Sequence, residues 1–200
     1  MTIVHFLLLV PSLLVHPDPP PLQTNCSHES VIAFPSFNSP DAEKINWKER
    51  RLLTWTDFKA APVESAPNAA LTSTSILFGY HFGEGGLTYT LQCVFYPHKS
   101  WTKVRSERIL SHEQGHFDIS ELFTRKLHQA LAAYKPRENS LEPDINAIYQ
   151  KVAQDQAAYQ KQYDTETNYS RDLEGQSRWS QRIRLELEQL QKFAGYPQPQ

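Results

Sequence analysis

The chain has 200 residues, of which 40% are hydrophobic and 21% are charged, a balance typical of a globular protein rather than a disordered one. Its formal net charge of −2 gives no strong electrostatic field, which argues against nucleic acid and anionic membranes as main partners. A folded region of about 150 residues buries roughly two thirds of its unfolded surface, which is enough for a hydrophobic core.

The chain begins with MTIVHFLLLVPSLLVHPDPPP, in which an apolar run from Ile3 to Val15 has the length of a signal-peptide core and is too short to span a bilayer. The run lacks a basic start and an A-x-A cleavage site, so a buried strand and a misassigned start are alternatives. We predict a signal peptide at residues 1–16, and therefore a secreted or periplasmic protein without a stable membrane span. A proline-rich linker at residues 17–44 and a folded domain at residues 45–196 are expected to follow.

Cys26 and Cys93 are the two cysteines of the chain. In an exported protein they could form a disulfide. Alternatively, Cys93 is a small core residue within a strand, and the sequence leaves both readings open.

The first predicted elements are strands. In RLLTWTDFKAAP, we expect Leu53, Trp55 and Phe58 to face inward from a short strand and turn. TSTSILFGYHF and LTYTLQCVFYP, separated by GEGG, are rich in β-branched and aromatic residues and predict an antiparallel hairpin. Pro97 ends the hairpin because proline cannot donate to the ladder.

Three helices are predicted after the hairpin, because apolar residues recur there at intervals of three and four. The first runs from a cap at Ser100 to about Tyr134, the second opens with Ser140 and Pro143, and the third begins near Leu173 after the turn DTETNYSRD. Strands precede helices along the chain, so the predicted class is α+β: a small antiparallel sheet packed on a long helix that two further helices follow.

The motif HEQGH, residues 112–116, lies inside the first predicted helix. His112 and His116 are four residues apart on one helix face, so their imidazoles can converge on a cation. Zn²⁺ binds neutral imidazole nitrogen, and in catalytic sites it lowers the pKa of a bound water to about 7. Glu113 can then take the proton as general base while the water attacks a carbonyl, the chemistry of H-E-x-x-H. The alternative is two solvated histidines on a polar helix face.

A third zinc ligand must come from another segment, because two histidines alone hold zinc weakly. The first two predicted helices have similar lengths, so an antiparallel return brings YDTETNYSRD level with the motif. Asp164 or Glu166 could complete the site there, and Tyr169 can donate a hydrogen bond to a developing oxyanion. Alternatively, this acidic turn only caps the third helix.

Other residues near the motif have different expected roles. Glu121 is expected to be a solvated carboxylate paired with Arg125, and Asp118 can orient a metal ligand without touching the metal. His128 is about 18 Å along the helix from His116, which is too far to share a metal. Gly115 stands where the close approach of another backbone would require glycine.

Three stretches, LLTWTDFKAAP, HEQGHFDISELFTRKL and YDTETNYSRDLEGQSRW, resemble an uncharacterised bacterial domain-of-unknown-function family whose members are described as predicted secreted zinc-dependent proteases. More loosely, the chain resembles the zincin metallopeptidases, in which the H-E-x-x-H helix packs under a sheet. The resemblance covers roughly residues 45–190. It implies a zincin-like fold, with His112 and His116 as zinc ligands and Glu113 as general base.

The family's YD…T pattern maps onto Tyr163, Asp164 and Thr167. Many relatives carry a histidine where this chain has Tyr169; if that histidine is their third ligand, the site here is weakened. In zincins that use an aspartate ligand, a tyrosine follows the ligand by three, which is the spacing of Glu166 and Tyr169. Between the two carboxylates, Asp164 is our predicted third ligand.

The predicted function is a zinc-dependent hydrolase, a secreted or periplasmic metalloprotease acting on a peptide or protein substrate. A substrate strand is expected to add to the sheet edge at LTYTLQCVFYP. The alternative is a non-catalytic envelope protein in which a structural or vestigial metal site serves a binding module. A third class, an intracellular helical adaptor, requires the first fifteen residues to be part of the fold.

Overall fold

The computed structural model of the chain describes residues 4–7, 43–83, 86–136 and 140–199. Strands come before helices along the chain, which confirms the predicted α+β class. The elements are β1 (Val4–Leu7), β2 (Ile45–Asn46), β3 (Ala70–Leu71), β4 (Thr74–Gly83), β5 (Gly86–Phe95), β6 (Trp101–Thr102), α1 (Glu107–Ala133), α2 (Leu141–Glu166) and α3 (Leu173–Gln189).

The main sheet is antiparallel with the strand order β1-β4-β5-β2, and β3 pairs with β6 in a second, two-stranded sheet. β4 and β5 pair from Thr74 with Phe95 to Gly83 with Gly86, which confirms the predicted hairpin. The alternation of apolar and polar residues places the apolar side of β5 against the helices.

The prediction that β5 offers its edge to a substrate strand is wrong for the second half of the strand. β2 pairs with Val94 and Phe95. Further back along β5, the Trp47 amide donates to the Cys93 carbonyl at 3.0 Å, and the Leu91 amide donates to the Pro197 carbonyl at 2.8 Å. A segment before the hairpin and a segment after α3 therefore cover this edge.

β1 lies within the stretch predicted to be a signal peptide and pairs with residues 77–80 of β4. A strand was one of the alternatives that the sequence left open for this stretch, and the signal peptide stays a prediction. Most of the linker predicted at residues 17–44, including Cys26, lies outside the described residues. Cys93 is a free thiol buried in β5, and burial raises its pKa well above the ordinary range.

The helix cap predicted at Ser100 is wrong. α1 is capped instead by Ser106, whose side chain accepts a backbone N–H from the first turn. The Ser100 hydroxyl is buried, donates to the Tyr96 carbonyl at 2.8 Å and accepts the Ser73 amide at 2.9 Å. Ser100 thus joins the end of the hairpin to the segment before β4.

α2 begins after Ser140, as predicted, and α3 begins after Asp172, whose carboxylate accepts the Gly175 N–H at 3.0 Å. The turn between them starts later than predicted, because α2 continues to Glu166. Three of its residues, Asn168, Tyr169 and Ser170, have φ angles of 46°, 52° and 72°, in the left-handed region that L-residues other than glycine rarely adopt. Within the described ranges, every helix is too short or too polar to cross a bilayer.

α1 is the central element of the core, because it packs against β4 and β5 on one side and against α2 and α3 on the other. Leu53 and Phe58 extend this core beside the first half of α1, whereas Trp55 is only half-buried and lies in a 3₁₀ turn rather than a strand. A helix that is buried on most sides holds its side chains in fixed positions. The buried apolar residues of α1 are Ile109, Phe117, Ile119, Leu122, Phe123, Leu127 and Leu131.

Candidate metal centre

His112 and His116 lie one turn apart on the face of α1 that meets α2 and α3. Their side chains are 5% and 16% exposed, so neither is a solvated surface histidine. The two rings are nearly perpendicular, with centroids 4.9 Å apart. This geometry directs the two imidazoles into one small space rather than into solvent.

Asp164, on the last turn of α2, faces both rings. Its Oδ1 lies 3.1 Å from Nε2 of His112 and 3.0 Å from Nε2 of His116. One potential ligand atom from each of the three residues falls within 4.8 Å of the others. In the part of the chain that the structure describes, this is the one such group of three histidine, cysteine or acidic side chains.

A glutamine carbonyl faces the other nitrogen of each ring. The Nδ1 atom of His112 is 3.1 Å from Oε1 of Gln176 on α3. The Nδ1 atom of His116 is within hydrogen-bonding distance of Oε1 of Gln160 on α2. Each imidazole is therefore held at Nδ1 by a glutamine, and its Nε2 faces the Asp164 carboxylate.

The histidines and Asp164 shift each other's pKa in opposite directions. Burial lowers the pKa of His116, but the hydrogen bond and the charge of Asp164 outweigh burial and raise this pKa to about 9. Burial raises the pKa of Asp164, but hydrogen bonds from His112 and His116 outweigh burial and hold this pKa well below its usual range. The cluster thus stabilises positive charge between the rings and the carboxylate, and either a proton or a metal cation can provide that charge.

Tyr163 fills the space behind the two histidines. Its ring stacks on His112 with centroids 4.6 Å apart and meets His116 edge-on at 5.0 Å. Its hydroxyl donates to the His112 carbonyl at 3.0 Å, and burial raises the pKa of this phenol far above its ordinary value. The absence of a side chain at Gly115 makes room for the Tyr163 ring. The prediction that another backbone approaches closely at Gly115 is therefore wrong.

Glu113 is buried beside the cluster, with 5% of its surface exposed. No hydrogen bond joins its carboxylate to any of the described residues, although this carboxylate helps to raise the pKa of His116. No donor among the described residues therefore competes for this carboxylate.

The structure does not bring the Glu166 carboxylate to the pair of histidines, and no hydrogen bond joins the Tyr169 side chain to either ring. The exposed Glu166 carboxylate accepts hydrogen bonds from Trp179 at 2.9 Å and Gln162 at 2.7 Å. Tyr169 is 55% exposed, and its backbone amide, not its hydroxyl, contacts the Asp164 carbonyl at 2.8 Å. Of the two carboxylates considered as the third ligand, only Asp164 faces both rings.

Two acidic residues further along α1 differ from expectation. Asp118 was expected to orient a metal ligand, but its carboxylate accepts hydrogen bonds from Trp47 at 2.8 Å and Arg51 at 2.7 Å. Glu121 was expected to be solvated, but it is fully buried. Its pairing with Arg125, at 2.8 Å, is confirmed. Both carboxylates hold other segments on α1 and take no part in the cluster.

Gln160 and Gln176 were not predicted as site residues from the sequence. A signal for Gln160 was present, because Gln160, Tyr163, Asp164 and Thr167 follow the spacing i, i+3, i+4, i+7 and so share one face of α2. Gln176 lies on a different helix and has no local signal, since a glutamine near a helix start is usually exposed.

Comparison with models of protein families gives a match over part of the chain. A family profile described as "Bacterial protein of unknown function (DUF922)" matches residues 97–171, a range that contains His112, His116 and Asp164. Neither the curated proteins nor the solved structures contain a match to the chain. Over residues 97–171, the chain is therefore similar to a bacterial family whose function is unknown, which confirms this part of the predicted resemblance.

Proposed function

We propose that the protein is a zinc-dependent hydrolase with His112, His116 and Asp164 as zinc ligands. The observation that carries this proposal is the approach of both Nε2 atoms to Asp164 Oδ1, at 3.1 and 3.0 Å. Ligand atoms at about 2.0–2.1 Å from a tetrahedral zinc ion lie about 3.4 Å apart. A small outward shift of these side chains is enough to admit the ion.

The donor atoms favour zinc over other common cations. Mg²⁺ and Ca²⁺ prefer sites built entirely from oxygen, whereas imidazole nitrogen suits Zn²⁺. Structural zinc sites usually have four protein ligands, and catalytic sites usually have three. Three ligands in this cluster therefore support a catalytic role more than a structural one.

Zinc, when bound, supplies a Lewis acid and lowers the pKa of water to about 7. Glu113 accepts the proton of the water as its oxygen attacks the carbonyl carbon of the substrate. Glu113 then delivers this proton to the leaving nitrogen as the C–N bond breaks, so the carboxylate ends in its starting state. The absence of hydrogen bonds to Glu113 from the described residues supports this role, since no donor among them competes for the carboxylate.

The proposed substrate class is a peptide or protein. The resemblance of HEQGHFDISELFTRKL to predicted zinc-dependent proteases supports this choice. The exposed hydroxyl of Tyr169, on the turn that follows Asp164, is our proposed donor to the carbonyl oxygen of the substrate. We also propose a secreted or periplasmic location, which the apolar run from Ile3 to Val15 supports.

Metal analysis and peptide cleavage by wild type, Glu113→Gln and His112→Ala test the proposal together. We expect about one zinc per chain in wild type, and Glu113→Gln should keep the metal while cleavage falls by about 10²- to 10⁴-fold. His112→Ala should lose both metal and cleavage. Zinc in a wild-type protein that cleaves no member of a peptide library would instead favour the non-catalytic binding module. A protein without affinity for zinc would overturn the proposal.

A further inference from the structure

We infer that Gln160 and Gln176 are positioning residues that hold hydrogen on Nδ1 of His116 and His112, so that Nε2 is the nitrogen of each ring that can bind a cation. This inference rests on the proposed zinc site and extends it to two neutral side chains on two other helices. Each glutamine uses both ends of its amide, and the partner at the nitrogen end fixes which end faces the histidine.

The orientation of Gln160 follows from the backbone of α1. Its Nε2 lies 3.1 Å from the His116 carbonyl oxygen, which can only accept a hydrogen bond. The amide nitrogen of Gln160 must therefore face that carbonyl, and the amide oxygen must face His116 Nδ1. An amide oxygen only accepts, so Nδ1 of His116 carries the hydrogen.

The orientation of Gln176 follows from Tyr163. The Tyr163 hydroxyl donates its hydrogen to the His112 carbonyl, so it must accept at its other contact, 2.8 Å from Gln176 Nε2. The amide oxygen of Gln176 then faces His112 Nδ1 at 3.1 Å. Thr167 agrees with this assignment, because its hydroxyl donates to the Tyr163 carbonyl at 2.7 Å and can only accept from His112 Nδ1, at 3.4 Å.

The two glutamines thus prepare the site for a cation. A neutral imidazole with hydrogen on Nδ1 has a bare Nε2, and an ionised carboxylate has only acceptor oxygens. Without a cation, hydrogen on Nε2 bonds the rings to Asp164 Oδ1 at 3.1 and 3.0 Å, and a bound cation takes the place of that hydrogen. Glutamine fixes the rings without adding negative charge, whereas a carboxylate partner would also raise the basicity of the ligands.

Zinc affinity, measured by competition with a chelating dye, tests these roles in Gln160→Leu and Gln176→Leu. Gln162→Leu and Gln181→Leu are matched controls, because these exposed glutamines lie on the same two helices. We expect zinc binding about 10- to 100-fold weaker in the first pair and unchanged in the controls. Gln160→Glu and Gln176→Glu keep an acceptor for Nδ1 and should bind zinc at least as tightly as wild type.

Nitrogen-15 NMR of the histidine side chains in the metal-free protein reads directly whether Nδ1 of each ring carries hydrogen. We expect hydrogen on Nδ1 of both rings. A bare Nδ1 on either ring would overturn the inference, as would Leu variants that bind zinc as tightly as their controls, or Glu variants as weak as the Leu variants. If wild type binds no zinc, the proposed hydrolase fails and the NMR result alone decides this inference. If a Leu variant does not fold, the Glu variants and the NMR result decide it.

Discussion

The ring of Tyr163 occupies the space that a side chain at position 115 would need. A Cβ on Gly115 would overlap the Tyr163 hydroxyl and stand 2.6 Å from its Cζ. The same hydroxyl donates to the His112 carbonyl. α1 and α2 are therefore in close contact at Gly115, which has no side chain. The glycine of HEQGH therefore shapes the cluster by leaving room for the tyrosine.

Gly115→Ala should destabilise the protein by about 1–3 kcal/mol, the usual cost of overpacking a core. Alanine would otherwise stabilise a helix interior by up to about 1 kcal/mol relative to glycine, so the sign of the effect is informative. Urea unfolding measures the difference. Gly195→Ala is the control, because no neighbouring atom lies within 4 Å of a Cβ built there. A more stable Gly115→Ala protein would contradict the described packing.

Asp164→Ala should weaken zinc binding by at least about 100-fold, because it removes the carboxylate that, among the described residues, faces both Nε2 atoms. Glu166→Ala should leave zinc binding unchanged, since Glu166 is exposed and contacts Trp179 and Gln162. Isothermal titration of both variants with zinc compares the two carboxylates directly. The reverse pattern would show that Glu166 is the ligand.

Tyr196→Phe should destabilise the fold by about 1–3 kcal/mol, the cost of leaving a buried acceptor without a donor. The Tyr196 hydroxyl donates at 2.7 Å to Glu121, which is fully buried and otherwise pairs with Arg125. Thermal or urea unfolding measures the loss. Tyr169→Phe removes an exposed hydroxyl and should change stability by less than about 0.5 kcal/mol. Equal effects of the two variants would show that the Glu121 contact contributes nothing.

Asp57→Asn should reduce stability at neutral pH and have less effect in acid. Burial raises the pKa of Asp57, but hydrogen bonds from Arg50 and Thr54 outweigh burial and lower it below its ordinary value of 3.8. A lowered pKa in the folded state gives stability that is present above pH 3.8 and is lost as the pH falls toward the folded pKa. Arg50 is 45% exposed, so water screens the pair and the expected loss at pH 7 is only about 1 kcal/mol.

Urea unfolding of wild type and Asp57→Asn at pH 7 and at about pH 3 checks this prediction. The difference in unfolding free energy between the two proteins should shrink at the lower pH. A difference that stays constant or grows in acid would show that the charge of Asp57 is not what stabilises the turn.

The regular elements could be predicted because their signals are local. The alternation of Leu91, Cys93 and Phe95 predicts the hairpin, and Ser140 marks the start of α2. The predicted cap at Ser100 was wrong, although a serine before a helical pattern is a common cap. Tertiary contacts with Tyr96 and Ser73 show the role of this serine. Local sequence signals indicate where a helix or strand lies, but not which polar residue caps it.

The candidate site was predictable in part for the same reason. Spacing along one helix placed His112 and His116 together, and the similar lengths of two helices brought Asp164 level with them. The burial of Glu121 and the contacts of Gln176 depend on neighbours that are distant in sequence, so no local pattern contains them. Polar residues that are satisfied inside the fold look like surface residues when only the sequence is read.

His112 and Asp164 are 52 positions apart in the chain yet adjacent in space. A cation between them would tie the end of α2, and the left-handed turn after it, to the middle of α1. The unfolded chain has no such site, so binding of the ion increases the free energy of unfolding. At a free zinc concentration 100 times the dissociation constant, this linkage is worth about 2.7 kcal/mol. The fraction of molecules that stay folded would then follow the zinc content of the compartment in which the protein works.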